Sequence, residues 1–352
     1  MVYPRLPGDG ARPQMIRLFL IVLAWPLVVV VLVGGYQWYR AEFPAPPEAR
    51  LTGATVDYPR ARRVGRDALD QFARLAPAEQ EAVLISLARM VVSPERWLRQ
   101  LRRADYAILC IGEIHEPDTR AFLARHFFDR YPVERLFLEA RPEELRRIER
   151  RVAAGQEYTP LLNADIGAVI RNARLTNPDV HIQGIEETGE QYRARQAGEG
   201  SRDYSLARNF WRNFRPGATH VVLYGALHCA DEQGWLYGHL RLQARDREDL
   251  AMRNIQVLGE YQFEPLAALL YFLDHIGIAP GHFVLDDTAR LHPLLREWFA
   301  LLDQQVLSRY DTVVVFRDAP AGSGRRIAGT DGEEPATAAT RSAVHRVRQA
   351  AP

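Results

Sequence analysis

Two short stretches of this sequence set a carboxylate or an imidazole a few residues beyond a glycine at the end of an apolar run. The first, GEIHEPD, supplies Gly112, Glu113, His115, Glu116 and Asp118; the second, YGALHC, supplies Gly225, His228 and Cys229. Each has the form glycine, two residues, histidine. Glycine lets the backbone turn tightly, and two imidazoles turned toward one cleft, joined by one or two carboxylates, suit a divalent metal whose bound water is hydroxide-like near neutral pH. The same groups serve as general acids and bases without a metal. Glu139 ends an intervening apolar run, FLEA, as a third ligand or as a group that orients a histidine through its second ring nitrogen. Glu113 has the alternative of capping its own loop. Arg202 and Asp203 open a helical stretch, SRDYSLARNFWRNF; there Asp203 suits the positive end of the helix dipole, and Arg202 suits a substrate carboxylate or an oxyanion.

These residues need a scaffold that brings them together. Short apolar runs at 106–112, 135–140, 180–186, 220–228, 254–259, 282–286 and 311–318 alternate with helical patterns such as PDTRAFLARHFFDRY and EPLAALLYFLDHI. The alternation predicts an α/β fold, a mainly parallel or mixed central sheet flanked by helices, with functional groups beyond the carboxyl ends of its strands. Cys110 lies inside an apolar run and reads as core. Cys229, beside His228, reads as a residue nearer the cleft and a soft metal ligand at most. Two cysteines are too few for a disulfide-stapled scaffold.

Outside this body the composition changes. Leu18 to Gly35 carries no charge or polar side chain, and as a helix it covers roughly 27 Å, close to a hydrocarbon core of about 30 Å. Tyr36, Trp38 and Tyr39 follow as an interfacial belt. The apolar run exceeds a usual signal-peptide core and no A-x-A-like site precedes Tyr36, which favours an uncleaved anchor. The expected order is a cytoplasmic segment at 1–17, a transmembrane anchor at 18–36 in inner-membrane lipid, a Pro-containing tether at 37–62, the α/β domain at 63–318 and a disordered tail at 319–352. Arg5, Arg12 and Arg17 before the span favour a cytoplasmic N-terminus and a periplasmic or otherwise extracytoplasmic domain.

Every one of the 45 basic residues is arginine, and with 44 acids the formal charge is +1, so no whole-molecule field recruits nucleic acid. Without lysine, Schiff-base, P-loop and kinase-lysine chemistries are excluded. HExxH, GxSxG, CxxC and GxGxxG are absent from the sequence.

IGEIHEPD, FLEA, SRDYSLARNFWR, VVLYGALHC and YDTVVVFRD, in this order, resemble the TraB/GumN/ChaN group, also called the Tiki or erythromycin-esterase-like superfamily. The paired G-x-x-H motifs fall on Gly112, Glu113 and His115 and on Gly225 and His228. The strand-end glutamate falls on Glu139, and the R-D-x-x-M-A-x-N-I helix on Arg202, Asp203, Ala207 and Asn209. Leu206 and Phe210 depart from that helix pattern, and Glu116 stands where the haem-associated branch has aspartate. The resemblance implies three readings. One is a metal-dependent hydrolase of a peptide, ester or lactone, with Glu113, His115, Glu139, Arg202 and His228 catalytic and His115, Glu139 and His228 on the metal. Another is a ChaN-like haem or iron binder, with a histidine or a tyrosine such as Tyr224 or Tyr237 near the iron. The third is a nonenzymatic interaction module.

Overall fold

The computed structural model describes residues 59–317 except 116, 156–165, 246, 248–249, 261 and 279–280. The anchor, most of the tether, the tail and Glu116 lie outside the described residues. Among the described residues, no helix is long and apolar enough to cross a membrane.

Two helices, α1 (Pro59–Arg74) and α2 (Pro77–Met90), precede the short strand β1 (Val91–Val92) and α3 (Pro94–Ala104). Prolines open these helices, where the missing N–H costs no hydrogen bond. The alternating part then runs β2 (Ile108–Glu113), α4 (Pro117–Leu123), β3 (Arg135–Leu138), α5 (Pro142–Ala153), α6 (Ile166–Thr176) and β4 (His181–Gly184). It continues through α7 (Gly189–Gln196), α8 (Arg202–Arg212), β5 (His220–Gly225), α9 (Leu236–Gln243) and β6 (Met252–Gly259). Then come α10 (Glu264–His275), β7 (Phe283–Asp286), α11 (Pro293–Trp298), α12 (Ala300–Leu302) and β8 (Thr312–Phe316).

The strands form one mixed sheet in the order β1-β7-β8-β6-β2-β5-β3-β4. β8, β6, β2, β5, β3 and β4 are parallel, and β7 runs antiparallel to both β8 and β1. Alternate side chains enter two separate cores, as a period of two requires. Cys110, Phe137, Val222, Tyr224 and Val313 pack on one face with residues of α1, α2, α8, α9 and α10. Leu109, Ile111, Leu136, Leu223 and Val314 pack on the other with α3 to α6. The central strands β2, β5 and β8 are therefore buried on both faces and show nearly continuous apolar runs, whereas the edge strand β4 is partly exposed.

Topology then decides where polar groups meet. β2 and β3 are successive in sequence, yet β5 lies between them, pairing Gly112 with Tyr224 and Glu113 with Gly225. The carboxyl ends of β2, β5, β3 and β4 thus lie side by side, bringing both G-x-x-H motifs to one edge of the sheet.

Cys110 and Cys229 form a disulfide, with Cα atoms 5.5 Å apart. This corrects the reading of Cys229 as a soft ligand, because its sulfur is already bonded. The bridge joins β2, two residues before Gly112, to the turn that carries His228. Both cysteines are fully buried, so the bond is part of the core beneath the site.

Candidate active site

The site is built from four strand ends and the first turn of one helix. On β2, Glu113 is almost completely buried, a placement that a carboxylate tolerates only with a partner. Arg120 of α4 supplies it: Nε donates to Glu113 Oε1 at 2.7 Å and Oε2 at 2.9 Å, and Nη2 lies 2.6 Å from Oε1. Neither guanidinium nor carboxylate meets bulk water, so each fixes the other.

His115 follows, with 43% of its side chain exposed, so its ring meets both solvent and the site. Its Nδ1 lies 2.9 Å from Arg120 Nη2 and 3.3 Å from Glu113 Oε1, while Nε2 lies 3.3 Å from Glu139 Oε2. The two contacts at Nδ1 require different protonation states. A bare Nδ1 accepts from Arg120, whereas a protonated one donates to Glu113. The hydrogen bond to Glu113 raises the imidazole above its ordinary value; burial opposes this, and the Glu139 charge adds to it. The contact with Glu113 and the charge of Glu139 favour the imidazolium, whereas the contact with Arg120 favours the neutral ring.

Glu139, just past β3, accepts from Arg202 Nη2 at 2.8 Å through Oε1 and from the Gly225 N–H at 3.0 Å through Oε2. Burial alone would raise its pKa, but the Arg202 hydrogen bond, the His115 charge and the Gly225 N–H together hold it below the ordinary carboxylate value. Gly225 permits this close approach: a Cβ there would stand 2.7 Å from His115 Nε2. At Gly112 a Cβ would stand 3.1 Å from the Ala226 backbone and 3.3 Å from the Cys229 Cβ. Both motif glycines thus sit where the motifs crowd each other: a side chain at Gly225 would displace the His115 ring, and one at Gly112 would press on the Ala226 backbone.

Arg202 and Asp203 open α8, where the Ser201 hydroxyl caps the helix by accepting from the Tyr204 N–H at 3.1 Å. Arg202 grips Glu186, just past β4, through Nε at 2.9 Å and Nη2 at 2.5 Å, and its Nη1 lies 3.0 Å from His228 Nε2. These carboxylates raise the guanidinium further above its ordinary value, with Glu186 the largest cause. An arginine can only donate, so His228 Nε2 accepts and carries no proton in this arrangement. The other ring nitrogen, Nδ1, then donates to Asp203 Oδ1 at 2.6 Å, an oxygen that also accepts from the Leu236 N–H at 2.8 Å. Asp203 thereby fixes both the tautomer and the ring orientation of His228.

The five residues singled out from sequence, Glu113, His115, Glu139, Arg202 and His228, therefore meet in one connected network. They do not meet at one point. His115 touches Glu139, Glu139 touches Arg202, and Arg202 touches His228, so a guanidinium stands between two of the three groups read as metal ligands. Among the described residues, no three His, Cys, Asp or Glu side chains form a metal cage. As placed, these donors do not fit a shared ion. Tyr224 and Tyr237, read as neighbours of a haem iron, are both buried within the core.

Asp203, expected only as a helix-start residue, and Glu186, at the end of the run 180–186, are both integral to the site. Arg120 was missed. The one hint was that Glu113, ending a wholly apolar run, needed a counter-charge, but nothing in the pattern chose Arg120 from the nearby arginines.

Protonation of His115 and ionisation of Glu139 have opposite consequences for stability. The raised His115 value gives a contribution fully present below about pH 6.5 and lost as pH rises through the folded-state value. The depressed Glu139 value gives a contribution present above the ordinary carboxylate range and lost as pH falls through its folded-state value. Thermal melts of the wild type and a His115→Gln variant across pH 5 to 9 test the first. The difference between them should shrink toward high pH; a constant difference would show that His115 does not titrate in this setting.

No family model matches the chain, and no curated protein matches it. Among solved structures, two described as bacterial protein toxins align with TM-scores of 0.31 each, at 14% and 13% identity, over 57% and 56% of this chain and 46% and 45% of theirs. A Bacillus cereus protein aligns with a TM-score of 0.38 at 9% identity, over 69% of this chain and 98% of its own. The chain spans less than half the length of the toxin structures.

Proposed function

We propose that this chain is a hydrolase of carboxyl bonds, in a peptide, ester or lactone, that uses a guanidinium as the fixed cation of its site. One observation carries the reading: two imidazoles from separate G-x-x-H motifs flank Arg202 and Glu139, one oriented by Asp203 and the other set between two carboxylates. An imidazole whose Nε2 accepts and whose Nδ1 is held by an aspartate suits the base, and one beside two carboxylates that raise it suits the acid.

In this mechanism a substrate carbonyl oxygen draws Arg202 Nη1 away from His228. The freed Nε2 takes a proton from water while the water oxygen attacks the carbonyl carbon. Asp203 stabilises the resulting imidazolium, and Arg202 faces the oxyanion. As the intermediate collapses, the bond to the leaving group breaks and His115 gives that group its proton. Solvent then returns a proton to His115 and removes one from His228, so the site is restored.

The buried Cys110–Cys229 disulfide supports the expected topology, since such bonds are favoured in oxidising compartments outside the cytosol. We therefore extend the proposal to a single-pass protein anchored by residues 18–36, with this domain on the extracytoplasmic side.

The test is hydrolysis of a panel of chromogenic esters, lactones and peptides by the full chain in detergent. His228→Ala should lower kcat/KM by roughly 10²- to 10⁴-fold, His115→Ala should act in the same direction, and a chelator should leave the rate unchanged. Loss of activity on chelation with recovery on adding a divalent ion would replace the arginine reading with the metal-dependent one. A saturable Soret band on haem titration, with no hydrolysis, would favour the haem-binding alternative. Equal rates for wild type and both histidine variants would end the hydrolase proposal.

A further inference from the structure

Tyr224 is the residue before Gly225 on β5, fully buried, and its hydroxyl has no hydrogen-bond partner among the described residues. Its neighbours on the strand, Val221, Val222 and Leu223, are aliphatic, and phenylalanine would fill the same volume. An unpaired buried hydroxyl costs about 1 to 3 kcal/mol, so its presence calls for a physical reason. The surroundings supply one. The ring meets the His228 imidazole edge to face, with centroids 5.6 Å apart. The charged groups acting on the phenol are Glu186, Glu139, Arg202 and Asp203, all of them site residues. Burial first, and those carboxylates next, push the phenol well above its ordinary value, so it keeps its proton and is available to donate.

We propose that the Tyr224 hydroxyl holds an internal water against the carboxylates of the Glu139–Arg202–Glu186 network, beneath His228, and that this water supplies the hydrolytic reaction. A buried water is stable where two to four polar partners surround it; Arg202 and Asp203 bond the same His228 ring that Tyr224 meets, and Glu139 accepts from the N–H of Gly225, the residue after Tyr224, so the network borders the phenol on two sides. Tyr224 is then a positioning residue that acts through the water. The hydrolytic part rests on the function proposed above; the water site itself does not.

Two measurements on the full chain in detergent separate these parts. A crystal structure that resolves waters should show one within about 3.2 Å of Tyr224 Oη and within similar reach of Glu139, Glu186 or Asp203, and Tyr224→Phe should lack it. A hydroxyl bonded directly to protein, or one with no water beside it, overturns the proposal whether or not the chain hydrolyses anything. Kinetically, Tyr224→Phe should lower kcat roughly tenfold, the effect of one water-mediated hydrogen bond lost in the transition state, with KM little changed and a melting temperature equal to or above wild type. An unchanged kcat would overturn the delivery of that water to the reaction. A fall in both kcat and melting temperature would mark a packing role and overturn it as well. Wild-type rates in both His228→Ala and His115→Ala mark failure of the hydrolase reading instead.

Discussion

Replacing Arg202 with glutamine is expected to lower kcat/KM by roughly 10²- to 10³-fold, the usual effect of losing a fixed donor to a developing oxyanion. The physical reason lies in the number of groups that share this one cation. Glu186 takes two of its donors, Glu139 a third contact and His228 a fourth. Glutamine keeps some hydrogen bonding but no charge, leaving Glu186 without the Arg202 cation and Glu139 with His115 alone. The Glu139 carboxyl should then hold its proton to higher pH than in the wild type, because the Arg202 hydrogen bond and charge that keep its pKa low are gone. The melting temperature of Arg202→Gln should accordingly fall most at neutral and alkaline pH and recover toward acid. Arg202→Lys is the informative partner. It restores the charge without the planar fork that spans Glu186 and Glu139, so stability should return further than activity. Wild-type rates in the glutamine variant would show that the guanidinium does not face the reacting atoms. Wild-type rates in the lysine variant would show that charge alone suffices.

The second large effect is expected at the disulfide. The bridge spans 119 positions, and a loop of that order restrains the unfolded chain by up to about 5 kcal/mol, with about 2 to 5 kcal/mol typical of a native bridge. Cys110→Ala/Cys229→Ala should therefore lower the free energy of unfolding within that range, read from denaturant midpoints at constant slope. Replacing both cysteines avoids leaving a lone buried thiol. A functional consequence should accompany the stability loss. Cys229 follows His228 directly, and its Cβ lies close to where a Gly112 side chain would stand. Without the bond, the turn carrying His228 can move away from β2, and the Asp203–His228 alignment loosens. The rate per folded molecule should thus fall under conditions where the variant is still fully folded. Retention of both stability and rate would mean that the surrounding core holds the turn unaided.

Much of the fold could be read from local pattern. Each apolar run predicted as a strand became one, because a strand buried on both faces must be continuously apolar and a parallel sheet needs helices between its strands. The helix start read at Arg202 and Asp203 is the start of α8, where the Ser201 hydroxyl accepts from a free backbone N–H. The two-residue strand β1 was missed, since Val91–Val92 is too short to set a period and becomes a strand only by pairing with β7.

For the candidate site, residue types at the ends of apolar runs pointed to Glu113, His115, Glu139 and His228, because polar groups there have left the core and face the rim, while Arg202 was read from a helix start. Their roles were not legible. Spacing within the motifs is the same whether the histidines surround an ion or a guanidinium. Only the insertion of β5 between β2 and β3 brings Gly225 against His115 and closes the Cys110–Cys229 bond. By itself the sequence determined strands, helices and the set of polar residues at strand ends, all consequences of burial along the chain. The tertiary structure decided which of those residues touch: Arg120 on Glu113, Asp203 on His228 and Arg202 between Glu139 and His228. Contacts between distant positions depend on strand order, and local periodicity carries no record of that order.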